Sequence, residues 1–233
     1  MSERVRGAIA LAPAPGASSR ALDLSAGDGL SSRMLAERGW RVVSTEYRTR
    51  NRGWVAVNLD HDLPFRSASF ELVIMLEVIE HLADIPHILG EIARVMRPGG
   101  VAIVTTPNRL NVSSRIHYLL SGYYKGRRAP LAYKYRVADG RNWHVMGLND
   151  LHWIAWGTGL RMDAIGRSRR KLRARILAPI LWPLIAGFSW MLYGRVKDPA
   201  QRKINRELLG FMTSASLLMD ENIIMRFRKR EEP

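Results

Sequence analysis

From residue 21 onward, short apolar and β-branched runs alternate with stretches of helical spacing, which confines the chain to an α/β sheet architecture. Residues 21–24 read as a first strand and 30–38 as the helix after it, followed by strands over 41–45, 54–57 and 70–76. The run 70–76 is nearly continuous in apolar residues, as a strand buried on both faces should be. Across 86–96, Ile88, Leu89, Ile92 and Val95 fall at helical spacing; Pro98-Gly99-Gly100 then breaks the helix, and 101–105 forms a fifth strand. Further on, the pattern predicts a helix over 149–157, a sixth strand over 160–165 and a last strand over 222–228. Strand–helix–strand order implies right-handed crossovers and a parallel sheet.

The first strand leads into Leu22-Asp23-Leu24-Ser25-Ala26-Gly27-Asp28-Gly29. Open α/β sheets bind ligands at the carboxyl ends of their strands, and glycines there admit close approach of the backbone. The spacing Gly27-x-Gly29-x-x-Ser32 lacks the third glycine of the dinucleotide fingerprint. No P-loop lysine follows, so neither a nicotinamide dehydrogenase nor a phosphate cradle is indicated. Glu46 closes the second strand, 23 residues after Asp23, where a carboxylate accepts hydrogen bonds from both hydroxyls of a ribose. A glycine turn alone is also a plain structural device; joined to the strand pattern and Glu46, it points to a nucleoside ligand.

At this point the residues resemble a known family. Residues 22–29 are similar to the first motif of the class I, Rossmann-like S-adenosylmethionine-dependent methyltransferases, with Ser25 replacing the usual first glycine. Asn58-Leu59-Asp60-His61-Asp62-Leu63-Pro64-Phe65 and the following Ser69-Phe70-Glu71-Leu72-Val73-Ile74 resemble their adenine-side loop and fourth strand. Glu77-Val78-Ile79-Glu80-His81-Leu82, Arg94-Val95-Met96-Arg97-Pro98-Gly99-Gly100 and Thr106-Pro107-Asn108 complete the set. The resemblance covers 21–108, more loosely the sixth and last strands, and falls in the broad small-molecule and ubiquinone-type group.

The resemblance implies one domain over 1–233, a parallel seven-stranded sheet with an antiparallel last strand and helices on both faces. A substrate-side lid over 109–143 and an insertion over 167–220 are added to that frame. It also implies S-adenosylmethionine as cofactor. Asp23, Gly27 and Gly29, with Ser25 in the same turn, would hold the methionine portion, and Glu46 the ribose. Asn58, Leu59 and Asp60 would border the adenine, Asn58 standing where this branch often has Asp, and Glu77 would orient the cofactor loop.

Methyl transfer from a sulfonium is an in-line displacement in which positioning supplies much of the rate; a hydroxyl acceptor gains further from a base or a metal. If the segment after the fourth strand is helical, Glu77 and His81 are i,i+4 neighbours with Glu80 alongside, a set suited to a divalent cation such as Mg2+. A similar Glu-x-x-Glu-His pattern occurs in ubiquinone-pathway O-methyltransferases and in small-RNA terminal 2′-O-methyltransferases, which use it for a metal. Metal-free relatives also carry Glu-His here, the His lining the pocket, so His81 reads equally as a catalytic contact. His144, in Asn142-Trp143-His144, reads as a fourth ligand or a general base. Tyr118, Tyr123, Tyr124, Tyr133 and Tyr135 either line an acceptor groove or pack the lid.

The insertion has its own chemistry. Arg167, Arg169, Arg170, Lys171, Arg173 and Arg175 precede 18 residues without a charge, 176–193, after which Arg195 and Lys197 restore it. A single span would place the sixth and last strands on opposite sides of a bilayer, so a shallow or re-entrant segment is expected, bent at Pro179, Pro183 and Gly187. Trp182, Trp190 and Tyr193 suit an interface and the arginines suit anionic headgroups; a buried lid helix or a dimer surface is the plainer alternative. The formal net charge of +15 also favours an anionic partner. There is no cysteine, which excludes disulfides, thiolate metal sites and a Cys nucleophile. The opening residues lack the apolar core of a signal peptide, so the expected location is cytoplasmic, peripheral on the inner face of the membrane.

The chain thus reads as an O-methyltransferase of a glycan, lipid-linked saccharide or lipophilic small molecule near the membrane. An RNA 2′-O-methyltransferase is the rival, although the basic cluster adjoins an apolar run instead of interleaving with stacking aromatics. A non-catalytic membrane-associated module with a vestigial cofactor pocket is the third reading; intact Gly27, Gly29 and Glu46 speak against it.

Overall fold

The structure is a computed structural model that describes residues 2–48, 51–122, 124 and 146–230. The described strands are β1 (Arg20–Leu24), β2 (Arg41–Glu46), β3 (Val55–Ala56), β4 (Phe70–Leu76), β5 (Met96–Pro107), β6 (Leu160–Ile165) and β7 (Asn222–Lys229). They form one sheet in the order β3-β2-β1-β4-β5-β7-β6. Pairing is parallel from β3 to β5, and β7 lies antiparallel between β5 and β6. This is the Rossmann-like sheet expected, last strand included.

Period-two alternation sorts the core into two layers. Leu22, Leu24, Val73, Met75, Ala102 and Val104 face α3 (Ile85–Val95) and α5 (Leu148–Gly157). Their strand neighbours Leu72, Ile74, Val101 and Ile103 face α1 (Ser2–Ala10) and α2 (Leu30–Glu37). Helix α3 starts where Asp84 accepts a hydrogen bond from His87 N–H at 2.9 Å, with Pro86 in its first turn, and it buries Ile88, Leu89 and Ile92.

Three differences from the sequence pattern have physical causes. β5 begins at Met96, ahead of the expected 101, because Gly99 adopts φ 71 and the turn lets Met96 still pair with Phe70 across a register shift. The opening residues form α1, whose Val5, Ala8 and Ile9 pack against the sheet. Within the expected lid, α4 (Val112–Ser121) is capped by Asn111, whose side chain accepts from Ser114 N–H at 3.0 Å, and closed by Gly122 at φ 72.

Between β6 and β7 run α6 (Leu172–Gly194), α7 (Pro199–Met212) and α8 (Ala215–Met219). The neck of this insertion is stitched shut. Glu221 N–H donates to Arg169 O at 2.8 Å, Lys171 N–H to Met219 O at 3.0 Å, and Ser168 N–H to the buried Asp220 carboxylate at 2.8 Å.

Candidate functional site

The site lies at the carboxyl ends of the parallel strands. The turn from β1 to α2 needs three left-handed residues: Ser25 at φ 56, Gly27 at φ 59 and Gly29 at φ 74. A Cβ on Gly27 would meet nothing within 4 Å, so open space lies over the turn. One on Gly29 would stand 3.1 Å from the ring of Trp54, the residue just before β3.

Asp23 supports the turn from below. Its Oδ2 accepts from the hydroxyls of Ser31 and Ser32, each at 2.6 Å, and Ser32 in turn meets Ser44 at 2.8 Å. Burial raises the Asp23 carboxyl to about 6 despite these two donors, with a smaller push from Glu46. The turn is also tied to β2, since Ala26 N–H donates to Thr45 O at 2.9 Å and Ser25 N–H to Thr45 Oγ1 at 3.2 Å.

Glu46, half-buried, accepts from Gly27 N–H at 3.0 Å on one oxygen and from its neighbour Tyr47 N–H at 2.9 Å on the other. An ionised carboxylate has roughly four acceptor directions, so Glu46 keeps capacity for hydroxyl donors while it is held in place. The loop past β3 is clamped at several points. Asn58 Oδ1 accepts from Asp60 N–H at 3.2 Å, and Asp60 Oδ1 accepts from Ala83 N–H at 2.9 Å. Leu59 is buried, and farther along Leu63 N–H donates to Glu91 at 2.7 Å while Arg94 donates to the carbonyls of Leu63 and Phe65.

After β4 the chain does not continue as an α-helix. Glu77 takes φ 60 and residues Ile79–His81 form one 3-10 turn, so the expected i,i+4 face of Glu77, Glu80 and His81 is not built. The Glu77 carboxylate is occupied by Asn222 Nδ2 at 2.9 Å, Thr105 Oγ1 at 3.4 Å and the Arg4 guanidinium at 3.4 Å. Glu80 is buried, with Oε2 unpartnered, while His81 is exposed. Among the described residues no group of three carboxylate or imidazole ligands comes together. Glu77, Glu80 and His81 therefore do not fit a Mg2+ ion, and the metal expectation is corrected on that geometry. His144, with Asn142 and Trp143, lies outside the described residues, as do Tyr123, Tyr133 and Tyr135. Tyr118 stacks on Tyr124 with centroids 4.3 Å apart.

Burial, reinforced by the charge of Glu80, raises Glu77 to about 7 against the pull of Arg4 and Asn222. Burial likewise raises Glu80, opposed by His81, Thr106 and Arg109. Arg4, Asn222 and Arg109 are site neighbours that sequence patterns do not announce. Asn222 is 145 residues from Glu77, and only the antiparallel insertion of β7 beside β5 joins them.

Comparison with known proteins adds a second line of support. Residues 1–165 match the family model described as a methyltransferase domain. A Mycolicibacterium smegmatis protein named a "probable S-adenosylmethionine-dependent methyltransferase" is 35% identical over 101 residues, 40% of this chain and 39% of that protein. A ubiquinone biosynthesis O-methyltransferase of Sinorhizobium fredii is 33% identical over 110 residues, 42% of this chain and 44% of that enzyme. The matched stretch thus spans less than half the length of these relatives. In fold, the chain resembles an S-adenosylmethionine-dependent methyltransferase of Thermotoga maritima, with TM-score 0.57, 14% identity and coverage of 98% and 89% of the two chains.

Proposed function

Since the chain belongs to the methyltransferase domain family, of the S-adenosylmethionine-dependent class I, we propose that it transfers a methyl group to an oxygen of a glycan, lipid-linked saccharide or lipophilic small molecule met at the membrane. The observation that carries the cofactor half of this reading is the β1–α2 turn, with open space over Gly27 and the anchored Glu46 carboxylate beside it. A turn of this shape with no phosphate-binding lysine suits a nucleoside whose ribose hydroxyls donate to a carboxylate.

The cofactor supplies an electrophilic methyl group on a sulfonium. The chain's part is to bind, orient and take up a proton. Ser25, Gly27 and Gly29 turn the backbone so that open space is left over Gly27 for the methionine portion, Glu46 receives the ribose, and Asn58, Leu59 and Asp60 border the adenine. Glu77, held by Arg4 and Asn222, fixes the end of β4 on which the acceptor side is built. His81, exposed at the end of the 3-10 turn, is an imidazole available to receive the acceptor's hydroxyl proton; His144 is proposed for the same task. The oxygen acceptor is supported by the relatives named ubiquinone biosynthesis O-methyltransferases.

Calorimetric titration with S-adenosylhomocysteine tests the cofactor half. The parent chain is expected to bind, and Glu46→Ala to weaken binding by about tenfold, or roughly 1.4 kcal/mol. A folded parent that does not bind the product overturns the reading and leaves a domain whose motifs serve shape alone.

A further inference from the structure

Helix α6 presents an apolar side that none of the described residues covers. Leu172, Ile176, Ile180, Leu184, Phe188 and Leu192 form a row, spaced four apart, that winds gradually round the helix, and they are 61–70% exposed. The opposite side of the same helix is spent on the protein: Ala174 and Ala178 are buried, with Leu181 and Ile185 packed beside them against α4 and α8. A helix apolar all round belongs in an apolar surrounding on both sides, and here one side faces water. The tip of α4 extends the exposed surface. Leu119 and Leu120 are each 81% exposed, and Leu119 lines one groove of about 200 Å³ with Leu181, Leu184 and Ile185.

Charge says what covers this face. No acidic residue occurs between Asp163 and Asp198. Arg173, three residues before Ile176, and Arg175 stand exposed in the first turns of α6, and Arg195 and Lys197 stand exposed just beyond its end. An apolar row framed by cations at both ends matches hydrocarbon framed by anionic headgroups. A second copy of the chain would bring like charges together at both ends. Topology fixes the mode of contact. Helix α6 is 23 residues long, enough to cross a bilayer by length and composition, yet β6 before it and β7 after it are paired in one sheet. Its inner side is also held by α4 and α8. A helix held in this way can lie along a bilayer but cannot cross it.

We propose that this chain docks on an anionic lipid bilayer as a monotopic protein, through the outer row of α6 and the tip of α4. Helix α4 starts five residues after the end of β5, the strand whose Thr106 bonds Glu80, so docking through α4 would bring the end of β5 near the lipid and with it an acceptor carried there. That last consequence, an acceptor carried in the bilayer, rests on the methyltransferase reading; the docking itself does not.

The test uses the full chain with vesicles of phosphatidylcholine alone and of phosphatidylcholine with 30 mol% phosphatidylglycerol, read by co-sedimentation. The parent should sediment with the anionic vesicles and lose most of that binding in Leu184→Glu/Phe188→Glu, whose exposed positions leave the core intact. Arg173→Gln/Arg175→Gln should remove the preference for anionic lipid. Trp182 and Trp190, both exposed on α6, should make tryptophan emission quenchable by acyl-brominated lipid, and Trp182→Phe/Trp190→Phe should abolish that quenching. Each variant is also titrated with S-adenosylhomocysteine: sedimentation without cofactor binding refutes the enzyme reading and leaves docking standing. A parent that binds cofactor and ignores anionic vesicles overturns the proposal. So does a stable dimer that Phe188→Glu dissociates, or binding to single-stranded RNA in place of lipid that the arginine variant alone removes.

Discussion

Asp23 shows how much chemistry one residue of the turn holds. Its carboxyl is raised to about 6 in the fold, against about 3.9 for an unfolded Asp. The native state therefore binds the extra proton between those values, and stability falls as pH rises from about 4 to about 6. The full penalty above pH 6 is on the order of 3 kcal/mol, and Asp23→Asn removes it while keeping an oxygen for Ser31 and Ser32. Urea denaturation at pH 4 and pH 7 should show the substitution gaining on the parent only at the higher pH; a constant difference would refute the shift. Ser25 is the second case. At φ 56 it is strained by about 1 kcal/mol or more, so Ser25→Gly is expected to raise the melting temperature by a few degrees. Both residues were visible as motif positions. What the sequence did not show was the job of Asp23, because Ser31, Ser32 and Ser44 become its network only when α2 and β2 are in place.

Among the elements, those built on strong periodicity were legible and those built on contact were not. β4 and α3 match their sequence patterns because a buried strand and an amphipathic helix carry their own periods. Helix α1 has a weak pattern and exists through its fit: a Cβ on Gly7 would stand 2.0 Å from the Arg167 carbonyl and 2.8 Å from Ile224. Gly7→Ala should therefore cost about 2 kcal/mol in spite of its better helix propensity, seen as a lower urea midpoint. Loss of α1 docking would also free Arg4 from Glu77. The metal expectation failed at this same scale, because a helix assumed after β4 proved to be a left-handed Glu77 and a single 3-10 turn. The loop past β3, proposed to border the adenine, gives another test. Arg94 bonds Glu91 and the carbonyls of Leu63 and Phe65, so Arg94→Met should weaken S-adenosylhomocysteine binding several-fold with the sheet intact. Calorimetry showing unchanged affinity would mean that Asp60 and Ala83 hold the loop without it.

For the whole molecule, a formal charge of +15 meets an apolar face on one helix. Vesicle binding should weaken about tenfold between 0.1 M and 0.5 M salt, because screening reaches the arginines, and then level off because it does not reach the hydrocarbon row. Continued decline to nothing would make the contact purely electrostatic. The two sides of α6 are under different constraints. Ala174 and Ala178 are buried against α4 and α8, whereas the outer residues are mostly exposed. Over evolutionary time the inner side would drift slowly in any descendant, since every copy must fold. The outer side answers only to what the protein visits. A lineage that gave up the bilayer would turn polar along Ile180, Leu184 and Phe188 first, and its catalytic sheet would record nothing of the change.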